Sequence, residues 1–294
     1  MMDLKGKVMV ITGAGSGFGR EFARLGARQG ARLVLADVQQ DALDAVSQEL
    51  SEQGAEVLAQ RTNVAKAEEI ASLAAATMQR FGAVHVLFNN AGVGSGGLIW
   101  ENSIADWEWV LGVNLWGVIH GVRTFVPLML EQARADPEYR GHVVNTSSVA
   151  GLLSPPNMGV YNVSKHAVVT FSETLYQDLK LACPQIHCSL LCPAFVPTGI
   201  AQSHRNRPAE LGNQGPATPS QLAAQKNVVK AVESGRLTAA DVAELTFAAI
   251  REERFYILTH PAIIPSVATR MEDLVQQRNP TDTFTPRPKQ QPSS

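Results

Sequence analysis

The feature that most constrains this fold is a rhythm. Short apolar runs rich in β-branched residues alternate with longer segments of helical periodicity. The runs fall at 7–12, 32–36, 56–62, 84–89, 142–146, 186–192 and 255–258, and helical patterns cover 18–29, 39–53, 66–81, 105–132, 160–181 and 239–252. Each strand–helix–strand step supplies the crossover that parallel strands need. Apolar runs without polar alternation predict strands buried on both faces. The expectation is an α/β fold: a doubly wound parallel sheet of about seven strands, Rossmann-type, with helices on both faces. The 294 residues suffice for one such domain, predicted over 1–278.

Two segments break the rhythm, and no internal repeat is visible. Residues 201–222 are polar and carry Pro208, Pro216 and Pro219, which predicts a lid over about 201–229. The final stretch, NPTDTFTPRPKQQPSS at 279–294, is polar and proline-rich, and its expected state is disorder.

With 25 basic and 27 acidic residues the net charge is −2. No basic excess points to nucleic acid or a membrane surface, and neither is expected as a partner. The apolar run at 8–11 is too short for a signal peptide or a membrane span, and no later run reaches spanning length, so a cytoplasmic location is expected. Cys183, Cys188 and Cys192 match no zinc spacing and read as buried free thiols; no metal site is expected.

The first strand runs into TGAGSGFG, with glycines at 13, 15, 17 and 19. A phosphate needs exposed backbone N–H groups and close approach, which Cβ atoms would obstruct. The N-terminus of the following helix adds a dipole favourable to pyrophosphate. The same pattern can also make a plain strand-to-helix turn. Asp37, ending the second strand 18 residues beyond Gly19, supports the nucleotide. A carboxylate there accepts hydrogen bonds from adenosine ribose hydroxyls and repels a 2′-phosphate. No basic residue follows it, so NAD is expected as cofactor, with NADP disfavoured.

With these motifs the chain resembles the short-chain dehydrogenase/reductase family. The matches are ordered along about 260 residues: TGAGSGFG at 12–19, NNAG at 89–92, Asn114 in VNLWG, and Ser148 with Tyr161 and Lys165. Tyr161 and Lys165 are four apart on a helix and share one face. The resemblance implies that Tyr161 is the general acid/base and that Lys165 both favours its phenolate and contacts the cofactor ribose. An unperturbed phenol ionises near pH 10, so making it a base at neutrality requires about 4 kcal/mol from neighbouring positive charge. By resemblance Ser148 holds the substrate oxygen, with Ser147 as local rival, and Asn114 holds a water in a proton relay through Lys165.

The resemblance also implies a set of cofactor contacts: Gly13, Ser16, Gly17, Phe18, Gly19, Asp37, Asn63, Val64, Asn90, Ala91, Gly92, Pro193, Val196 and Thr198, besides Tyr161 and Lys165. Two positions depart from the family pattern. Asn63 stands where Asp is common, and Ala194 replaces a glycine after Pro193; a positive φ there would strain an alanine.

The segments that form substrate pockets in this family are apolar here, with Leu98, Ile99, Trp100, Leu152, Leu153, Met158 and Phe195. They suit a lipophilic secondary alcohol or ketone. His204, Arg205 and Arg207 in the lid are open to two readings, carboxylate binding or solvation. Trp107 and Trp109 cannot share a helix face, so at most one lines a pocket. The long helices at 105–132 and 160–181 carry the family's usual subunit contacts, implying a homodimer or homotetramer. Two other functions compete with dehydrogenation: a nucleotide sensor without turnover, and an epimerase or dehydratase of the related longer-chain branch.

Overall fold

The computed structural model describes residues 2–212 and 215–282. From 283 onward the polar tail lies outside the described residues. Seven parallel strands form one sheet in the order β3-β2-β1-β4-β5-β6-β7. They are β1 (Val8–Thr12), β2 (Arg32–Asp37), β3 (Val57–Arg61), β4 (Val86–Asn89), β5 (Gly141–Thr146), β6 (Ile186–Cys192) and β7 (Tyr256–Leu258). The helices are α1 (Gly17–Arg28), α2 (Gln40–Glu52), α3 (Ala67–Phe81), α4 (Ile104–Leu111), α5 (Gly117–Ala135), α6 (Gly159–Ala182), α7 (Pro219–Glu233), α8 (Ala239–Arg251) and α9 (Ile264–Val275). The doubly wound sheet expected from the strand–helix rhythm is the observed fold.

Alternate residues of each strand serve opposite faces. Met9, Ile11, Leu33, Leu35 and Phe88 pack with Phe22 of α1, Leu43 of α2 and Phe247 of α8. Val8, Val10, Val34, Leu87 and Val143 pack with Ile70 and Leu73 of α3, Phe125 and Met129 of α5, and Leu179 of α6. Cys188 belongs to this second layer, and all three cysteines are buried thiols. At the centre of the first layer Phe22 stacks on Phe88 at 4.6 Å between centroids, with the Phe247 ring 6.4 Å from Phe22. Phe22→Ala should therefore cost about 3–5 kcal/mol, read from the denaturant midpoint. A loss below about 1 kcal/mol would mean the ring is not a core element.

Three helical features depart from the sequence pattern. The run at 105–132 is continuous from Ile104 to Ala135, but it contains a π-helical turn at Gly112–Trp116 that includes Asn114. This helix is long and apolar enough, by composition, to cross a membrane, which corrects the reading that no run reaches that length. It is a core helix, burying Val118, Val122, Phe125 and Met129. Two further helices emerge where none was read. One is α7, whose N-cap Thr218 forms a capping box with Gln221 and is followed by Pro219 at N1. The other is α9, which also begins with a proline in its first turn.

β1 lies between β2 and β4, so the chain leaves β1 and β4 toward opposite sides. At such a switch point the loops beyond the carboxyl ends of the strands part and leave a crevice.

Candidate active site

The crevice is a cavity of about 800 Å³, bounded by the glycine loop, the ends of β2–β6, the start of α6 and the lid. Gly13 and Gly17 have φ of +67° and +52°, a region that disfavours side chains. A Cβ on Gly13 would also meet Ala91 Cα at 2.9 Å. The first turn of α1 has no acidic residue, and its N-cap Ser16 makes no side-chain capping bond. The positive end of that helix is thus offered to the cavity, where an anion fits. Ser16, Gly17 and Phe18 line the cavity; Gly19 does not. A Cβ on Gly19 would meet Gly13 O at 2.1 Å, so this glycine lets the helix close onto its own loop.

Asp37 lies at the far end of the cavity. Its carboxylate accepts the Gly15 N–H at 2.8 Å and the Gln39 N–H at 2.9 Å. Arg61, on the neighbouring strand in register with Asp37, also lines the cavity; strand order, not chain order, brings it there. Asn63 and Val64 line the same end. The Asn63 Oδ1 acceptor is engaged by the Ala65 N–H at 3.1 Å, in a local turn.

Thr12 binds the glycine loop to the NNAG segment, a role that no sequence motif singled out. Its hydroxyl donates to Phe88 O and accepts from the N–H groups of Asn90 (2.9 Å) and Ala91 (3.1 Å). The Asn90 amide in turn donates to Thr12 O at 3.0 Å. Asn90, Ala91 and Gly92 all line the cavity.

Ser148, Tyr161 and Lys165 meet at one wall. Ser148 leaves the end of β5; its hydroxyl accepts the Ala150 N–H and donates to Pro193 O at 3.3 Å. It also reaches the Tyr161 hydroxyl, an interaction that favours the phenolate. The neighbouring Ser147 hydroxyl is buried and donates to Lys165 O at 2.8 Å. The Lys165 ammonium donates to Thr146 O at 3.0 Å and lies 5.7 Å from the Tyr161 ring centre.

Burial dominates the electrostatics here. It lowers Lys165 to about 8 and, as the largest influence on Tyr161, raises that phenol above its usual value. Burial of the phenol outweighs the Ser148 bond, so Tyr161 is held as the neutral phenol.

Asn114 does not line the cavity. Fully buried in the π-turn, its Nδ2 donates to Val93 O and to Ser164 Oγ, both at 3.0 Å, and its Oδ1 accepts the Val93 N–H at 2.8 Å. It braces the segment after β4 against α6. Pro193, Val196 and Thr198 line the cavity after β6. Ala194 has no positive φ, so replacing the family glycine brings no strain.

The apolar lining differs from the set read in the sequence. Met158 and Phe195 line the cavity; Leu98, Ile99, Trp100, Leu152 and Leu153 do not, and Trp100 is 76% exposed. Their places are taken by Val93, Trp109 and Val113 below and by Ile200, Val228 and Val232 of the lid. Of the two tryptophans, Trp109 faces the cavity. The segment predicted as a lid is fastened to the chain that follows β4. Ser203 Oγ accepts the Gly94 N–H at 2.9 Å, Arg207 pairs with Asp106 at 2.6 Å, and Glu101 accepts hydroxyl hydrogen bonds from Thr218 and Ser220. Arg207 is thus a structural strut, fitting neither reading offered for it.

A family model described as short chain dehydrogenase matches residues 7–209. A crystal structure of a short chain dehydrogenase/reductase from Burkholderia phymatum in complex with NAD is 57% identical, with a TM-score of 0.94 over 97% of this chain and all of that one. The CLA biosynthesis dehydrogenase/reductase of Lactiplantibacillus plantarum is 33% identical over 95% of this chain and 97% of its own. The C alpha-dehydrogenase of a Sphingobium strain is 29% identical over 96% and 90% respectively.

Proposed function

The chain belongs to the short-chain dehydrogenase family and is an oxidoreductase of that family; from that premise we propose that it interconverts a lipophilic secondary alcohol and its ketone with NAD. The observation that carries this reading is the meeting of Ser148, Tyr161 and Lys165 at one wall of a cavity whose far end is Asp37. A nucleotide sensor would have no use for that wall. The relative's complex with NAD supports the cofactor class.

The dinucleotide fits along the cavity floor. Its pyrophosphate is received by the uncapped start of α1, and its adenosine ribose by Asp37. Asp37 favours NAD. Arg61 beside it is the one feature drawing toward a 2′-phosphate, but Asp37 is already built into the glycine loop through Gly15. Bound, the cofactor supplies or accepts the hydride. Ser148 hydrogen-bonds the substrate oxygen. Tyr161, held protonated by burial, donates its proton to that oxygen during reduction and takes it back during oxidation. Lys165 favours the phenolate formed when the proton leaves. Asn114 is a positioning residue for the segment after β4. The apolar lining from Val93, Trp109, Val113, Phe195 and the lid favours a lipophilic substrate.

The test is absorbance of NADH on mixing with a panel of hydrophobic ketones, repeated with NADPH. NADH consumption is the expected result. No consumption with any ketone, and no NAD reduction with any alcohol, removes the proposal; equal use of NADPH removes the NAD preference.

The kcat/KM for NADH reports groups of the free enzyme. Lys165, lowered to about 8, is an ammonium below that pH and neutral above it, whereas Tyr161 is raised and keeps its proton through the same range. This kcat/KM should therefore fall as pH rises through about 8. A flat profile up to about pH 10 would show that the Lys165 charge is not required.

A further inference from the structure

We infer that Arg205, on the segment after β6, binds the pyrophosphate of the dinucleotide; the inference rests on the cofactor reading above. The glycine loop, TGAGSGFG, contains no cation, so any side-chain counter-charge added to the α1 N-terminus for the doubly charged pyrophosphate comes from elsewhere. Five cationic side chains line the cavity: Arg61, Lys66, Lys165, Arg205 and Arg207. Lys66 pairs with Glu69, Arg207 pairs with Asp106, and Lys165 is buried at the catalytic wall. Arg61 lies beside Asp37, at the adenosine end. Arg207 keeps a buried Nη2 without a hydrogen-bond partner, but Arg205 is the exposed lid cation with no ion pair among the described residues. Among the described residues its hydrogen-bond partner is the neutral Gln202 side chain, at 3.1 Å.

Its position follows from two close approaches at neighbouring residues. A Cβ on Gly199 would lie 3.0 Å from Arg205 Nη2, so the guanidinium rests on the Gly199 backbone. Gly199 follows Thr198, and a Cβ on Gly17 would lie 3.3 Å from Thr198 Cβ. Arg205 thus lines the same cavity as Ser16 and Gly17, and it rests on the residue next to the one that touches Gly17. The segment carrying it, Gly199–Asn206, is fastened by Ser203 to Gly94. An exposed guanidinium with free N–H groups suits a phosphate, which it can engage through two parallel bonds.

The experiment is a fluorescence titration of the full chain and its R205A and R205K variants with NADH, with ADP and adenosine as competitors. R205A should weaken NADH and ADP each about tenfold and leave adenosine, which has no phosphate, unchanged. R205K, keeping the charge without the fork, should recover part of the loss. Wild-type affinity for NADH should fall more steeply with salt than that of R205A. Equal NADH and ADP affinities in wild type and R205A overturn the inference, whatever happens to substrate KM. A wild-type chain that fails to bind NADH at all removes the cofactor reading and the inference with it.

Discussion

Tyr161→Phe should lower turnover by roughly two to four orders of magnitude while leaving NADH affinity within about twofold. The substitution removes one oxygen and keeps the ring, so the start of α6 and its packing against the cavity wall persist. What is lost is the proton itself. No other group at that wall can replace it. The Ser148 hydroxyl is a far weaker acid than a phenol, and the Lys165 ammonium is directed at Thr146 O. Stopped-flow turnover and a fluorescence titration, run on the same preparation, separate the two effects. Near-native turnover with intact folding would mean that another acid serves the substrate oxygen, and the proposed mechanism would fall. Loss of NADH binding together with turnover would mean that the ring's hydroxyl serves the cofactor rather than the chemistry.

The sheet was legible in the sequence because its signal is local. Runs such as LVLAD declare burial on both faces without reference to any partner, and the strand bounds agree within a residue or two at most ends. Tyr161 and Lys165 were legible for the same reason, since four residues on a helix fix a shared face. The substrate side was much less so. Trp100 and Ile99 look like pocket residues in the sequence but are exposed, because which apolar residues face a cavity depends on where distant segments cross. Val228 and Val232 line it only because α7 folds over the crevice. The T-P-S-Q capping signal for α7 is present in the chain, at the end of the polar, proline-bearing stretch read as a lid. Arg61 beside Asp37 and Thr12 beneath NNAG are products of strand order, which no single segment records. The direction of the Tyr161 shift also escaped sequence reasoning. A cation four residues away argues for phenolate, but burial of the phenol itself, the largest influence on it, is a tertiary property.

Gly19→Ala should abolish measurable NADH binding and lower stability by about 3 kcal/mol or more. The usual argument for a glycine, a positive φ, does not apply here; the constraint is space. A Cβ on Gly19 would lie 2.1 Å from Gly13 O, 2.7 Å from Gly13 C and 2.9 Å from Asn90 Nδ2. Two of those atoms are backbone, and the third is held by its bond to Thr12 O. None can yield without moving the loop that presents Gly13 and Gly17 to the cavity or releasing the NNAG segment. Gly82→Ala provides the control. Gly82 caps α3 at φ +68°, and a Cβ there would meet nothing within 4 Å. It should lose only about 1 kcal/mol and keep full NADH affinity. Thermal unfolding and NADH titration of both variants distinguish crowding from conformational cost. If Gly19→Ala bound NADH as tightly as Gly82→Ala does, the close approach of α1 to its loop would not be what shapes the cofactor floor.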